Sequence, residues 1–188
     1  MRMEDQELIF QVKEGDEMAF AEIVRRYKDR IVNYLWQLTG DYEKASELGQ
    51  ETFMRVYFKA HHYKPIAPLS SWIYAIASNL AKTDLKRSRR ALMVPLEKVE
   101  NHLASEVAFS SNPENSPLIA MLRKALDSLH PRYKVPIILK DIEGFSQEEI
   151  AEILKKPLGT IKARISRGRD YLKKEMEQTP LQMQYNEK

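Results

Sequence analysis

The 188 residues carry 30 lysines and arginines against 27 aspartates and glutamates, 43% hydrophobic residues and no cysteine. Disulfides, thiolate metal sites and thiol redox switching are therefore excluded, and stability has to come from packing. No run of about 18 apolar residues occurs, and residues 1–10 carry charges where a signal peptide would place its apolar core, which predicts a cytoplasmic chain with no membrane insertion.

The length admits one large or two small domains. Charge distribution favours two. Residues 1–92 carry a net +2 (15 cations against 13 acids), residues 93–117 minus 3 (1 against 4), residues 118–176 +5 (13 against 8) and the remaining tail minus 1 (1 against 2). An acidic stretch thus separates two basic parts.

In chain order, apolar residues first recur at spacings of three and four: Leu8, Ile9 and Val12, then Phe20, Ile23, Val24, Tyr27, Ile31, Tyr34, Leu35 and Leu38. These are amphipathic helices, broken at Gly15-Asp16. Gly40-Asp41 separates the second from a third helix expected over Tyr42 to Ala60. Lys64 to Ser70, with Pro65 and Pro68, is a loop, and Ser70 is positioned to cap a fourth helix through Trp72, Ile76, Leu80 and Leu85. Periodicity fails from Met93 to Pro117, where prolines, asparagines and serines predict an extended linker. Ser116-Pro117 reads as a helix start. His130-Pro131 opens another helix, which Gly144 ends, with a kink expected at Pro136. Ser146 to Glu149 reads as a capping box for a helix to Leu154, and after the turn Lys155 to Leu158 a long basic helix begins at Gly159-Thr160 and runs to about Met176.

Three constellations carry chemistry. Phe145 to Tyr171 reads as a helix-turn-helix: Ile150, Ile153, Leu154, Ile161, Ile165 and Leu172 hold the pair together, while Lys162, Ala163, Ser166, Arg167 and Asp170 face outward. Such a helix suits a major groove, with Arg167 placed for a bidentate contact to guanine, and the competing reading is a solvated basic face. Leu69 to Arg90 combines Trp72, Tyr74, Asn79 and Lys82 with the cations Lys86 to Arg90. Exposed rings beside cations suit single-stranded nucleic acid, although each ring taken alone equally fits a core. Glu47, Gln50, Glu51 and Met54 form a stripe opposite Ala45, Leu48, Thr52 and Val56, fit for docking onto a basic partner helix or simply solvated. His61-His62 has no completing ligand set, so no metal and no cofactor are expected. Neither a phosphate-binding glycine loop nor a nucleophile elbow occurs, and the chain is not expected to be an enzyme.

Together, GDEMAFAEIVRRYKDRI, GDYEKASELGQETFMRVY, LSSWIYAIASNLAKTDLKR, SNPENSP and DIEGFSQEEIAEILKKPLGTIKARISRGRDYLKK resemble, in this order, the extracytoplasmic-function (ECF) bacterial sigma factors of the sigma-70 family. The resemblance implies an all-α chain of two small helical domains: sigma-2 over residues 1–92, a linker over 93–116, and a sigma-4 helix-turn-helix domain over 117–176, with 177–188 expected as a disordered tail. It implies a transcription initiation factor that binds core RNA polymerase and directs it to promoters. Glu47, Gln50, Glu51 and Met54 would meet the beta-prime clamp helices, and sigma-4 would also meet the beta flap. Tyr63 and Asn79 match positions near the pocket for a base flipped from the non-template strand, and Trp72 and Lys82 match positions bordering the melted DNA. Lys64, Leu69, Lys86 and Arg87 complete the minus-ten set. Thr160, Lys162, Ala163, Ser166 and Arg167 fall on the duplex-reading positions for the minus-thirty-five element. The linker would thread toward the polymerase active centre, and an anti-sigma factor is an expected partner. The alternative is an autonomous helix-turn-helix regulator, which leaves the Leu69 to Arg90 constellation and the linker without a role.

Overall fold

Helix boundaries in the computed structural model, which describes residues 4–92 and 117–178, follow from local devices. The first region holds α1 (Asp5–Lys13), α2 (Glu17–Thr39), α3 (Tyr42–Phe58) and α4 (Leu69–Leu92). Asp16 caps α2 by accepting from the Met18 and Ala19 amides at 2.8 and 3.1 Å, and Asp41 caps α3 through the Lys44 amide at 3.0 Å. Between them Gly40 adopts φ +75°, a left-handed closure that costs a glycine little. The third helix ends at Phe58, and Ala60–His62 form a short 3-10 turn.

Ser70 does not cap α4. The helix begins one residue earlier at Leu69, and the Pro68 carbonyl already accepts the Trp72 amide at 3.3 Å. Leu69 is 2% exposed, so burial of its side chain draws the first turn forward and leaves Ser70 inside it.

The second region holds α5 (Pro117–Ser128), α6 (Pro131–Ile137), α7 (Gln147–Leu154) and α8 (Leu158–Gln178). His130 accepts the Arg132 amide at 3.1 Å while Pro131 occupies the first helical position. The disturbance expected at Pro136 takes the form of a wide π turn, Ile138–Ile142, directly after α6. Proline supplies no amide for the preceding turn, and the wider turn accommodates the altered hydrogen-bond ladder. Ser146 and Glu149 form the expected capping box, the two bonds measuring 3.1 and 2.8 Å. The last helix starts at Leu158 and continues through Glu177 and Gln178, two residues of the expected tail. The linker 93–116 and the rest of that tail lie outside the described residues.

The core of the first region gathers Leu8 and Ile9 from α1, Ile23, Ile31, Tyr34 and Leu35 from α2, Val56 from α3, and Ile73 and Ala77 from α4, all fully buried. The Tyr34 and Ser78 hydroxyls share a 2.7 Å hydrogen bond inside it. In the second region α8 crosses α6 at Gly168, where an added Cβ would clash with the Ile137 side chain and lie 3.2 Å from the Tyr133 Cβ.

The two regions pack against each other, with α4 lying on α7. The Tyr74 ring sits 5.1 Å from Tyr34 and 4.8 Å from Phe145, and its hydroxyl donates to Glu143, whose carboxylate also accepts from Arg30 at 3.4 Å. Nearby, the buried Lys134 amine donates to the Leu38 carbonyl near the end of α2 at 3.3 Å and to Asp127 at 2.7 Å. The Arg123 guanidinium lies 4.2 Å from the centre of the Trp36 ring.

Gly168→Ala is expected to destabilise the second region by about 1–3 kcal/mol, the usual range for overpacking. Gly159→Ala, where an added Cβ meets nothing within 4 Å, is expected to be neutral or stabilising by less than ~1 kcal/mol. Urea unfolding of both variants checks the difference.

Candidate nucleic-acid and partner interfaces

On α8, Ile161 and Ile165 turn inward against Ile150, Ile153 and Leu154 of α7, and all five are buried. That orientation leaves Lys162, Ala163, Ser166 and Arg167 exposed as one face, with Thr160 half-buried at its start. Arg169 reaches back to Asp141 in the π turn, its Nε donating at 3.1 Å, and braces the helix without occupying the exposed face. Lys173 and Lys174 continue the basic surface toward the end of the helix. The turn between α7 and α8 is made by Lys155 in a left-handed conformation, φ 50°.

The residues expected around the minus-ten element divide. Lys64, Asn79, Lys86 and Arg87 are exposed and Trp72 is half-buried. Tyr63 and Leu69 are each 2% exposed and belong to the core in this structure. Tyr63 donates its hydroxyl to the Ala67 carbonyl at 2.8 Å and packs its ring 5.4 Å from Trp72. It thereby holds the loop closed from beneath. Burial of that ring raises the hydroxyl above the usual tyrosine range. Tyr74 is fully buried, so of the two aromatics on this helix only Trp72 offers part of its ring to solvent. The loop presents instead a residue that sequence reasoning missed: Ile66 is 88% exposed. Its signal was an isolated apolar residue between Pro65 and Pro68.

Lys82 is neither open nor in the core. It is half-buried at the junction of the regions, and its amine is pushed below the usual lysine range first by loss of solvent, then by Lys156 and Arg164.

On α3, Glu47, Gln50, Glu51 and Met54 stand exposed on one face, while Ala45, Leu48, Thr52 and Val56 are buried on the other. The two acids are paired locally, Glu47 with Lys44 at 2.7 Å and Glu51 with Arg55 at 2.6 Å. Exposed pairs of this kind contribute little and exchange partners readily. Beside the stripe an apolar groove of about 570 Å³ opens between α2 and α3, walled by Phe20, Val24, Val32, Phe53, Tyr57 and Phe58, with Gln50 and Met54 on its border. The stripe was legible from spacing; the groove was not, because it needs the relative placement of two helices. His61 and His62 are exposed, and among the described residues no group of three His, Asp or Glu is arranged to hold a metal ion. Nor is any described helix long and apolar enough to cross a membrane.

Residues 23–91 match the family model for Sigma-70 region 2, and residues 119–172 that for Sigma-70, region 4. The ECF RNA polymerase sigma factor SigE of Mycolicibacterium smegmatis is 37% identical over 176 residues, covering 88% of this chain and 67% of the relative. The ECF RNA polymerase sigma factor SigW of Bacillus subtilis is 33% identical over 184 residues, covering 94% of this chain and 98% of the relative. Among solved structures, the sigma factor RpoE of Bartonella quintana, in complex with the anti-sigma factor NepR, matches with a TM-score of 0.65 at 25% identity, over 84% of this chain and 96% of that one.

Tyr63→Phe is expected to lower stability by about 1 kcal/mol, the net contribution of one hydrogen bond. Amide exchange should quicken in residues 64–68 while the interior of α4 stays protected. Uniform quickening across the first region would place the effect in the core rather than in the loop.

Proposed function

The chain belongs to the ECF RNA polymerase sigma factors, and from that premise we propose how its surfaces divide the work of promoter recognition. The observation that carries this reading is the exposed face of α8, where inward Ile161 and Ile165 leave Lys162, Ala163, Ser166 and Arg167 facing outward from a capped helix pair. Residues 117–176 read the minus-thirty-five element through that face, with Thr160 at its amino-terminal edge. Arg167 bonds a base edge, and Lys173 and Lys174 meet phosphate.

Residues 1–92 bind core polymerase and act at the minus-ten element. Glu47, Gln50, Glu51 and Met54, with the groove beside them, accept the clamp helices of the beta-prime subunit; acids and an apolar trough together suit an amphipathic helix with basic flanks. Trp72, Asn79, Lys82, Lys86 and Arg87 follow the melted non-template strand, where a ring stacks a base and cations track the backbone. Lys64 and Ile66 edge the loop that meets the extracted base, whose removal from the stack costs a few kcal/mol that these contacts offset. Tyr63 and Leu69 act here from below, by shaping the loop. Residues 93–116 link the two parts, toward the polymerase active centre, and the second region also meets the beta flap. An anti-sigma factor is the expected inhibitory partner, a reading supported by likeness to the RpoE chain solved with NepR.

The two elements are about 25 base pairs apart, roughly 85 Å of duplex at ~3.4 Å per pair, whereas α4 and α7 touch in this structure. Reading both elements at once requires the regions to separate. A promoter gel shift with and without core polymerase tests the function: specific retention that appears only with core is expected, and specific retention by the chain alone would favour an autonomous regulator.

Two sets of variants test the assignments. Glu47→Arg with Glu51→Arg should leave the fold intact and abolish core binding, because like charges then face each other across the interface; unchanged core affinity at moderate salt removes the stripe from it. Arg167→Ala should cost roughly 1–3 kcal/mol of promoter binding and relax preference at one upstream position, whereas Lys173→Ala should weaken all sequences alike. Uniform loss in both variants would return Arg167 to general phosphate attraction.

A further inference from the structure

A recess of about 230 Å³ lies where the two regions meet, and it is lined by cations from both: Lys82 of α4, Arg132 of α6, Lys156 in the turn before α8, and Arg164 of α8. No acid lines it. The remaining wall is apolar, with Val135, Pro136 and Leu154 among its members. Other cations at the junction have partners close by: Arg30 has Glu143, Lys134 has Asp127 and the Leu38 carbonyl, and Arg123 has the Trp36 ring. Lys82, Lys156 and Arg164 make no ion pair among the described residues, and Arg132 spends one nitrogen on His130 at 3.3 Å. Packing that gathers like charges against an apolar wall is unfavourable unless something of opposite sign joins them.

We propose that this recess is a binding site for a small phosphate-class anion, held between Lys82 on one side and Arg132, Lys156 and Arg164 on the other. Three features select that chemistry. A phosphate group offers several acceptor oxygens to donors arriving from different directions, and guanidinium groups meet phosphate through paired bonds. The volume falls below the roughly 300–1,000 Å³ of sites for drug-sized ligands, so a compact anion fits and a large metabolite does not. Its position between α4, α6 and α8 and its small volume leave no room for a duplex while the regions stay packed. Because the lining comes from both regions, a bound anion ties them together and favours the packed arrangement over the separated one that promoter reading requires.

Calorimetric titration of the full chain at constant ionic strength tests the site, using orthophosphate, pyrophosphate and a nucleoside triphosphate against chloride and acetate. One saturable site for phosphates, with none for chloride or acetate, is expected. Lys156→Gln and Arg164→Gln should each weaken binding by about tenfold, as for loss of one charge-assisted contact, while Lys173→Gln with Lys174→Gln leaves it unchanged. Binding of the triphosphate no tighter than that of pyrophosphate is expected, and tighter binding of the triphosphate would overturn the compact-anion assignment. Absence of saturable binding, or equal weakening by the Lys173 and Lys174 substitutions, overturns it. Thermal midpoints without ligand verify that each variant folds. The titration contains neither polymerase nor DNA, so its failure leaves the promoter-reading assignment standing.

Discussion

Tyr74 is the side chain through which the two regions of this molecule depend on each other. Its ring is fully buried between Tyr34 of the same region and Phe145 of the other, and ring pairs of this kind contribute about 0.5–1.5 kcal/mol each beyond their burial. Loss of solvent, and then the bond to Glu143, raise its hydroxyl far above the usual tyrosine range. The hydroxyl therefore stays protonated and donates. Glu143, whose side chain is only 7% exposed, has that donor and Arg30 as its partners in the enclosed junction. One tyrosine thus closes the core of the first region on one side and docks the loop before the helix-turn-helix on the other.

Local structure was readable wherever a residue's own chemistry decides it. Asp16, Asp41, Gly40 and the Ser146–Glu149 box each act within a few residues of themselves, and each does what its type and spacing predict. The α8 face was readable because Ile161 and Ile165 alternate with polar residues at helical period. Ser70 misled because a cap competes with burial, and Leu69 next to it was drawn into the core. Trp72 and Tyr74 were ambiguous for a related reason. Spacing says that a ring lies on a helix face but not what that face meets, and these two ended half-buried and buried. The groove beside α3 and the recess at Lys82 were unreadable in principle, since each exists only through contacts between elements distant in the chain.

Charge is handled differently at the two places where cations collect. Along the outer face of α8, Lys162 and Arg167 stand in water, where mutual repulsion is weak and screened by salt. At the junction, Lys82 meets Lys156 and Arg164 with solvent partly removed, and the same repulsion is stronger. The exposed face carries its cations at little cost. The junction keeps its cations at a cost that the Tyr74, Lys134 and Arg123 contacts must offset.

That balance sets how strongly the packed arrangement resists separation of the two regions. The regions are held together by a buried apolar core that runs across both, α4 packing on α7, and by specific contacts within it: an enclosed carboxylate with two donors, one buried lysine amine, and rings from each side. Breaking them returns Glu143 and Lys134 to water, which recovers solvation for both charges and removes the crowding at Lys82. The apolar contacts, Tyr74 with Phe145 among them, are the part that solvent does not replace. Separation is thus opposed by apolar burial and by these paired contacts, and favoured by the crowded cations at Lys82.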